Sequence, residues 1–296
     1  MPNATCYRHP DRETGVSCSR CGRPICPDCM TPTSVGMRCP ECSNDKTTVR
    51  TAASVGPGSG PARATMVLIG INVVAFLLEV FSGSGGFSTF GSTVFGDGAL
   101  CGNAIGDGGR CFGNGIGLIT DGGEWWRVIT AGFLHAGIFH IALNMFALYV
   151  LGQVLEPAIG TARFVALYLV SLVAGSVGAL LLSDPNTFTI GASGAIYGLF
   201  VATIIVARHR GFGQVVQQLG FWLVLNLVFT FSVSGISIGG HLGGMVGGAV
   251  AALLVIGAER GIAGRKNVPA ELGVLAALGV ACFVAAVVVA TTGVGF

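Results

Sequence analysis

Polar residues at the heads of three apolar segments could do chemistry together in this sequence. Ser193 stands in Gly191-Ala192-Ser193-Gly194, at the start of a hydrophobic stretch that runs to Ala207. Small neighbours leave room around its hydroxyl for a second helix or a substrate backbone. His241 opens another such stretch, and Gly244 and Gly248 follow on its own helical face. His140 and Asn144, four residues apart and so projecting together, open a third. A hydroxyl within reach of an imidazole is a nucleophile beside its base, and nearby N–H donors are what an oxyanion needs. No Asp or Glu shares the layer: Glu79 lies near the outer end of the first apolar segment, and Glu156 at the far end of the second. The residues therefore suggest a Ser193–His241 dyad, with His140, Asn144 and the Ser193 amide as candidate oxyanion donors. Taken singly, a membrane serine usually bonds the carbonyl one turn back, and a lone histidine or asparagine ties helices together. Agreement of four such residues in depth, beside two glycine-rich faces, favours chemistry.

The segments that must position these residues follow from composition. The chain is 52% hydrophobic and 10% charged, against roughly 25% charged in soluble domains, which makes it a membrane protein. The 48 glycines fall inside apolar segments as well as loops, as closely packed helices require. A net charge of +2 selects no partner. Seven segments approach the roughly 17 to 25 residues of a membrane span: 64–81, 137–155, 161–182, 191–207, 215–233, 238–257 and 270–290. Arg63, Arg163, Arg208, Arg210, Arg260, Arg265 and Lys266 fall in alternate connectors, against Arg110 and Arg127 in the others. This bias predicts a cytoplasmic N-terminus and an extracytoplasmic C-terminus. The second, fourth and sixth spans then start at the outer face. His140, Asn144, Ser193 and His241 lie about 3 to 11 Å below it at 1.5 Å per residue. The first long apolar run follows a cysteine-rich region rather than a short basic one, so no secretory signal is expected. Cys101 and Cys111 fall in the large outer loop, where they could form a disulfide.

Ahead of the spans, four pairs stand at metal-ligand spacing: Cys6 with His9, Cys18 with Cys21, Cys26 with Cys29, and Cys39 with Cys42. Eight ligands are what two tetrahedral zinc ions take. A unit this small has little core, so metal would supply its folding energy. A disulfide framework is disfavoured by the odd number of thiols and by the reducing side on which the orientation places them. The order of pairs resembles the cross-brace zinc modules of the B-box and RING type. That resemblance implies one ion shared by Cys6, His9, Cys26 and Cys29 and another by Cys18, Cys21, Cys39 and Cys42; by spacing alone, neighbouring pairs could equally share an ion. Such modules mostly bind proteins. Arg8, Arg12, Arg20, Arg23 and Arg38 are too scattered to argue strongly for nucleic acid, which is not an expected partner.

His140-Ile-Ala-Leu-Asn144, Gly191-Ala-Ser193-Gly194 and His241-Leu-Gly-Gly244 with Gly248 resemble, in order, the sequence pattern of rhomboid intramembrane serine proteases. Trp126-Arg127 is similar to that family's Trp-Arg in the first outer loop; His135, Tyr197 and the Glu156-Pro157 connector also fit. The resemblance implies Ser193 as nucleophile, His241 as general base and Tyr197 packed against the His241 ring. It further implies cleavage of transmembrane segments near the outer face, with no catalytic cofactor. The expected fold is all-α and polytopic: a cytosolic two-zinc module (1–45), a flexible linker (46–63), a rhomboid-like six-helix core (64–257), and a connector with a seventh transmembrane helix (258–296). The expected partners are transmembrane protein substrates, the lipid bilayer and a protein docking on the zinc module. A noncatalytic membrane adaptor is the competing reading. A transporter is a third, disfavoured because the polar layer lies near one face rather than at the midplane.

Overall fold

The computed structural model describes residues 4–33, 36–43, 62–83, 89, 92–101, 124–183, 188–233, 235–260 and 268–292. The expected linker (46–63, nearly all of it), the connector 261–267 and the Cys101–Cys111 disulfide lie outside the described residues or side chains. The chain divides into two compact units, Met1–Ala52 and Ala53–Phe296.

In the first unit, β1 (Ala4–Thr5) pairs antiparallel with β2 (Glu13–Thr14), and β3 (Thr31–Thr33) with β4 (Gly36–Arg38). A 3-10 turn over Pro27–Cys29 and the one-turn helix α1 (Pro40–Ser43) complete it. Its buried core is Cys6, Cys18, Ile25, Cys26, Cys29 and Cys39. Ile25 is the one member with no ligand chemistry. Burying one such side chain contributes about 1.5–3 kcal/mol, while fixing each residue's backbone costs about 1–2 kcal/mol. Hydrophobic burial therefore cannot hold this unit.

The second unit comprises α2 (Arg63–Ser82), α3 (Thr93–Gly98), β5 (Leu100–Cys101), α4 (Arg127–Thr130), α5 (Ile138–Ile159), α6 (Thr161–Leu182), β6 (Phe188–Thr189), α7 (Ser193–His209), α8 (Gly213–Ser232), α9 (Ile238–Arg260) and α10 (Val268–Thr292). Six of these helices are long and apolar enough to cross a membrane, and α7 is a shorter apolar helix. The fold is that of an all-α, multi-pass membrane protein, with one helix for each of the seven expected spans. The 17 residues of α7 rise about 25 Å, less than a hydrocarbon core of roughly 30 Å. An upright α7 would therefore fall short of one face of such a core.

Most helix boundaries shift by one to four residues from the expectation, two of them for a clear local reason. The helix α7 starts at Ser193 rather than Gly191 because Gly191 has φ +111°, outside the helical region. Helix α5 runs past Leu155, through Glu156 and Pro157, to Ile159. A proline in the last turn removes only one ladder bond. The Glu156 carboxylate turns back to accept from the Ala64 and Thr65 amides (3.0 and 2.9 Å) and from Thr65 Oγ1 (2.8 Å). It thereby satisfies donors that the first turn of α2 leaves open.

The central helix is α6, with 67% of its span buried. Two stripes of glycine, one residue apart, wedge α9 between α6 and α7. A Cβ on Gly239 or Gly243 would overlap the α6 backbone at Gly178, and one on Gly244 or Gly248 would overlap the α7 carbonyls of Gly194 and Gly198. No larger residue permits this backbone contact, and it brings the heads of α7 and α9 together.

Helix α10 docks on α6 through a buried bidentate ion pair, Arg163 Nε to Glu271 Oε1 (2.8 Å) and Arg163 Nη2 to Glu271 Oε2 (2.7 Å). Glu271→Ala is expected to lower stability by about 3–5 kcal/mol by leaving the guanidinium without its carboxylate. The measurement is the thermal midpoint of detergent-solubilised protein; an unchanged midpoint would show that the pair contributes nothing.

Candidate functional site

Ser193 is the first residue of α7, and His241 lies one turn into α9. Across the glycine contact, Ser193 Oγ and His241 Nε2 stand 2.9 Å apart. The Tyr197 ring, one turn further along α7, stacks on the imidazole with centroids 4.1 Å apart and planes 22° apart. A hydroxyl bonded to one nitrogen of a ring clamped from its face can act as a nucleophile when that nitrogen is the unprotonated one.

Helix α5 contributes His140 and Asn144 to the same place. The Ala136 amide donates to His140 Nδ1 (3.3 Å), so in a neutral ring the proton sits on Nε2. That nitrogen points at Gly191: a Cβ there would lie 2.7 Å from His140 Nε2 and 3.5 Å from Asn144 Nδ2. Asn144 Nδ2 is buried with no partner among the described residues. The Ser193 amide, at the head of a helix, belongs to the first-turn donors that have no intrahelical acceptor. Three N–H groups thus face the neighbourhood of Ser193, where a carbonyl oxygen becoming negative would meet them. His140, Asn144, Ser193 and His241 line one cavity of about 410 Å³.

The other expected residues make contacts outside the cavity. Arg127 donates through Nη1 to the carbonyls of Gly96 (2.6 Å) and Ala99 (2.9 Å), and Trp126 Nε1 to that of Asp97 (3.1 Å). Both hold the end of α3 and neither lines the cavity. Buried His135 packs edge-on against His140, with centroids 5.0 Å apart, and its amide donates to Glu79 (3.0 Å). Glu79 and Glu156 are thus engaged away from His241.

One neighbour was not anticipated. Thr230, near the end of α8, places Oγ1 2.9 Å from His241 Nδ1, 2.8 Å from the Tyr197 hydroxyl and 2.9 Å from the Asn226 carbonyl. The available signal was the four-residue spacing of Asn226 and Thr230 in an otherwise apolar run.

In the N-terminal unit the candidate ligands gather as Cys6, His9, Cys26 and Cys29, and as Cys18, Cys21, Cys39 and Cys42. This is the crossed grouping, with neighbouring pairs kept apart. Cys21 and Cys39 sulfurs lie 3.8 Å apart, and His9 Nδ1 lies 3.8, 3.3 and 3.5 Å from the sulfurs of Cys6, Cys26 and Cys29. A tetrahedral ion with bonds of 2.0–2.3 Å would give ligand separations of about 3.3–3.8 Å, so both sets fit a metal ion. Burial opposes the Cys6 thiolate, but backbone hydrogen bonds from Arg8 and Cys26 outweigh it and bring the thiol down to about 6. Backbone hydrogen bonds at Cys21 and Cys39 bring Cys18 to about 6 as well, while burial pushes Cys29 up to about 11. Each set thus has one thiol shifted toward the form that binds a metal, Cys6 in one and Cys18 in the other, while the Cys29 proton is one a bound metal would displace.

Comparison with known proteins agrees with this layout. The Rhomboid domain family model matches residues 122–258, which include His140, Asn144, Ser193 and His241. The rhomboid protease GluP of Bacillus subtilis is 36% identical over 161 residues, 53% of this chain and 31% of GluP. The putative rhomboid protease YdcA of the same organism is 32% identical over 145 residues, 48% of this chain and 73% of YdcA. The mitochondrial RHOMBOID-like protein 6 of Arabidopsis thaliana is 42% identical over 86 residues, 29% of this chain and 28% of that protein. The chain thus spans under a third of GluP and nearly three quarters of YdcA. With its spans, its glycine-wedged helices and this similarity taken together, the chain belongs to the rhomboid family.

Proposed function

We propose that this protein is an intramembrane serine endopeptidase that cleaves transmembrane segments of other membrane proteins near the outer face of the bilayer. The observation that carries this reading is the 2.9 Å contact of Ser193 Oγ with His241 Nε2, in a cavity that also holds the donors of His140 and Asn144. Ser193 Oγ attacks the scissile carbonyl carbon while His241 Nε2 takes the hydroxyl proton. The carbonyl oxygen, now negative, accepts from His140 Nε2–H, Asn144 Nδ2–H and the Ser193 amide. His241 then gives its proton to the departing amine nitrogen. Water, deprotonated in turn by His241, hydrolyses the acyl-enzyme and frees Ser193.

The shortness of α7 supports chemistry below one surface yet within reach of water. The distribution of Arg and Lys supports a cytoplasmic N-terminus, a C-terminus on the opposite side and a site facing outward. The same reading divides the chain into a cytosolic two-zinc module (1–45), a linker (46–63), the catalytic core (64–257) and an added segment with α10 (258–296). The Cys₃His and Cys₄ donor sets are those that zinc prefers. The module's role is to dock a protein partner.

The test is labelling by a serine-reactive fluorophosphonate in membranes. Wild-type protein is expected to be labelled and Ser193→Ala not. Absence of wild-type labelling would favour a noncatalytic adaptor that binds transmembrane clients.

A further inference from the structure

The dyad leaves one question open in chemical terms: what keeps the His241 proton on Nδ1, so that Nε2 can act as acceptor. In a triad a carboxylate does this. Here Glu79 is bonded to the His135 amide and Glu156 to the first turn of α2, and Nδ1 faces the Thr230 hydroxyl at 2.9 Å. A hydroxyl both donates and accepts, so its direction must be decided. Thr230 Oγ1 lies 2.9 Å from the Asn226 carbonyl four residues earlier, which only accepts. Bonding back one turn is the usual state of a threonine in a membrane helix. The hydroxyl proton then goes to Asn226, and the Thr230 oxygen is left to accept from His241 Nδ1–H.

The surroundings point to the bond rather than to packing as the reason Thr230 is there. Thr230 is the only buried residue of α8, whose span is 6% buried. The side chain that reaches inward from this open helix ends on the imidazole, and the Tyr197 hydroxyl, 3.0 Å from the Asn226 carbonyl and 2.8 Å from Thr230 Oγ1, braces the same group.

We propose that Thr230 is a positioning residue that holds His241 in the Nδ1–H tautomer, through a hydrogen bond that exists only while α8 lies against α7. The inference rests on the reading of Ser193 and His241 as nucleophile and base. As a corollary, a movement of α8 that widened the cavity would also free the ring to place a proton on Nε2, where it would face Ser193 and disable the base.

The experiment uses the full chain in nanodiscs with ¹⁵N-labelled histidine rings, the His241 signals being assigned by their loss in His241→Ala. Wild type is expected to show a protonated Nδ1 and an unprotonated Nε2. Thr230→Val keeps the shape and removes the acceptor, so the proton should move toward Nε2. In a transmembrane-reporter assay kcat should fall about 10-fold, the equivalent of one hydrogen bond, with KM within about twofold, because positioning acts on the chemical step. Thr230→Ser, which restores the hydroxyl, should recover most of the loss. An unchanged ring pattern, or an unchanged kcat, in Thr230→Val overturns the inference. A ring pattern that reverses as stated in a protein with no protease activity supports the positioning and sinks the proposed function instead.

Discussion

Ser193→Ala is expected to reduce cleavage of a transmembrane reporter by a factor on the order of 10⁶ while leaving the protein folded. Where a serine and a histidine act as one unit, removing either costs about as much as removing both, and what remains comes from oxyanion stabilisation and binding. His241→Ala should match it, and the double variant should be no worse than either. Folding should hardly register the change, because Ser193 Oγ bonds His241 in a half-open cavity and its loss removes a hydrogen bond with a net contribution of about 1 kcal/mol. The measurements are reporter cleavage in membranes and the thermal midpoint in detergent. Cleavage that persists in Ser193→Ala with an unchanged midpoint would place the nucleophile elsewhere.

Metal removal should act as strongly on the other unit. Because Ile25 is the one buried hydrophobe among the unit's described residues that is not a candidate ligand, chelation is expected to unfold residues 4–43 and leave the helices of the second unit intact. Amide exchange should lose protection throughout the first unit, with none lost in α6. Two equivalents of Zn²⁺ should restore it, and Co²⁺ substitution should give the absorption of tetrahedral thiolate sites. Binding requires loss of thiol protons, so affinity should rise with pH; the raised thiol of Cys29 carries that rise into the alkaline range. Protection that survives exhaustive chelation would show that another interaction holds the unit.

The grouping of the zinc-type ligands shows where spacing stops being informative. Cys18 and Cys21 are three residues apart on the chain, and a local rule pairs them. Whether they share an ion with Cys26 and Cys29 or with Cys39 and Cys42 depends on how the two ribbons fold back, a property of no single segment. Thr230 differs in kind. Its hydroxyl in an apolar helix reads as ordinary back-bonding, and that reading is correct for its proton; only the rotation of α8 turns the remaining lone pair toward His241. The glycines of α9 were half legible. Gly244 and Gly248 stood out beside His241, whereas the companion stripe at Gly239 and Gly243 acquires meaning only once α6 is known to lie against it.

What the sequence by itself determined is what a chain carries locally: seven apolar lengths, eight candidate ligands in four pairs, and the positions of Ser193, His241, His140 and Asn144 along their helices. Those follow from hydropathy, spacing and a fixed rise per residue. What only the tertiary structure decided is which faces meet: the 2.9 Å between Ser193 and His241, the crossed ligand sets, the second partner of His241 and the Arg163–Glu271 link to α10. Depth is a coordinate along one helix. Contact also needs the rotation and crossing of two helices, and these are set by how glycine and bulky side chains interlock across the whole bundle.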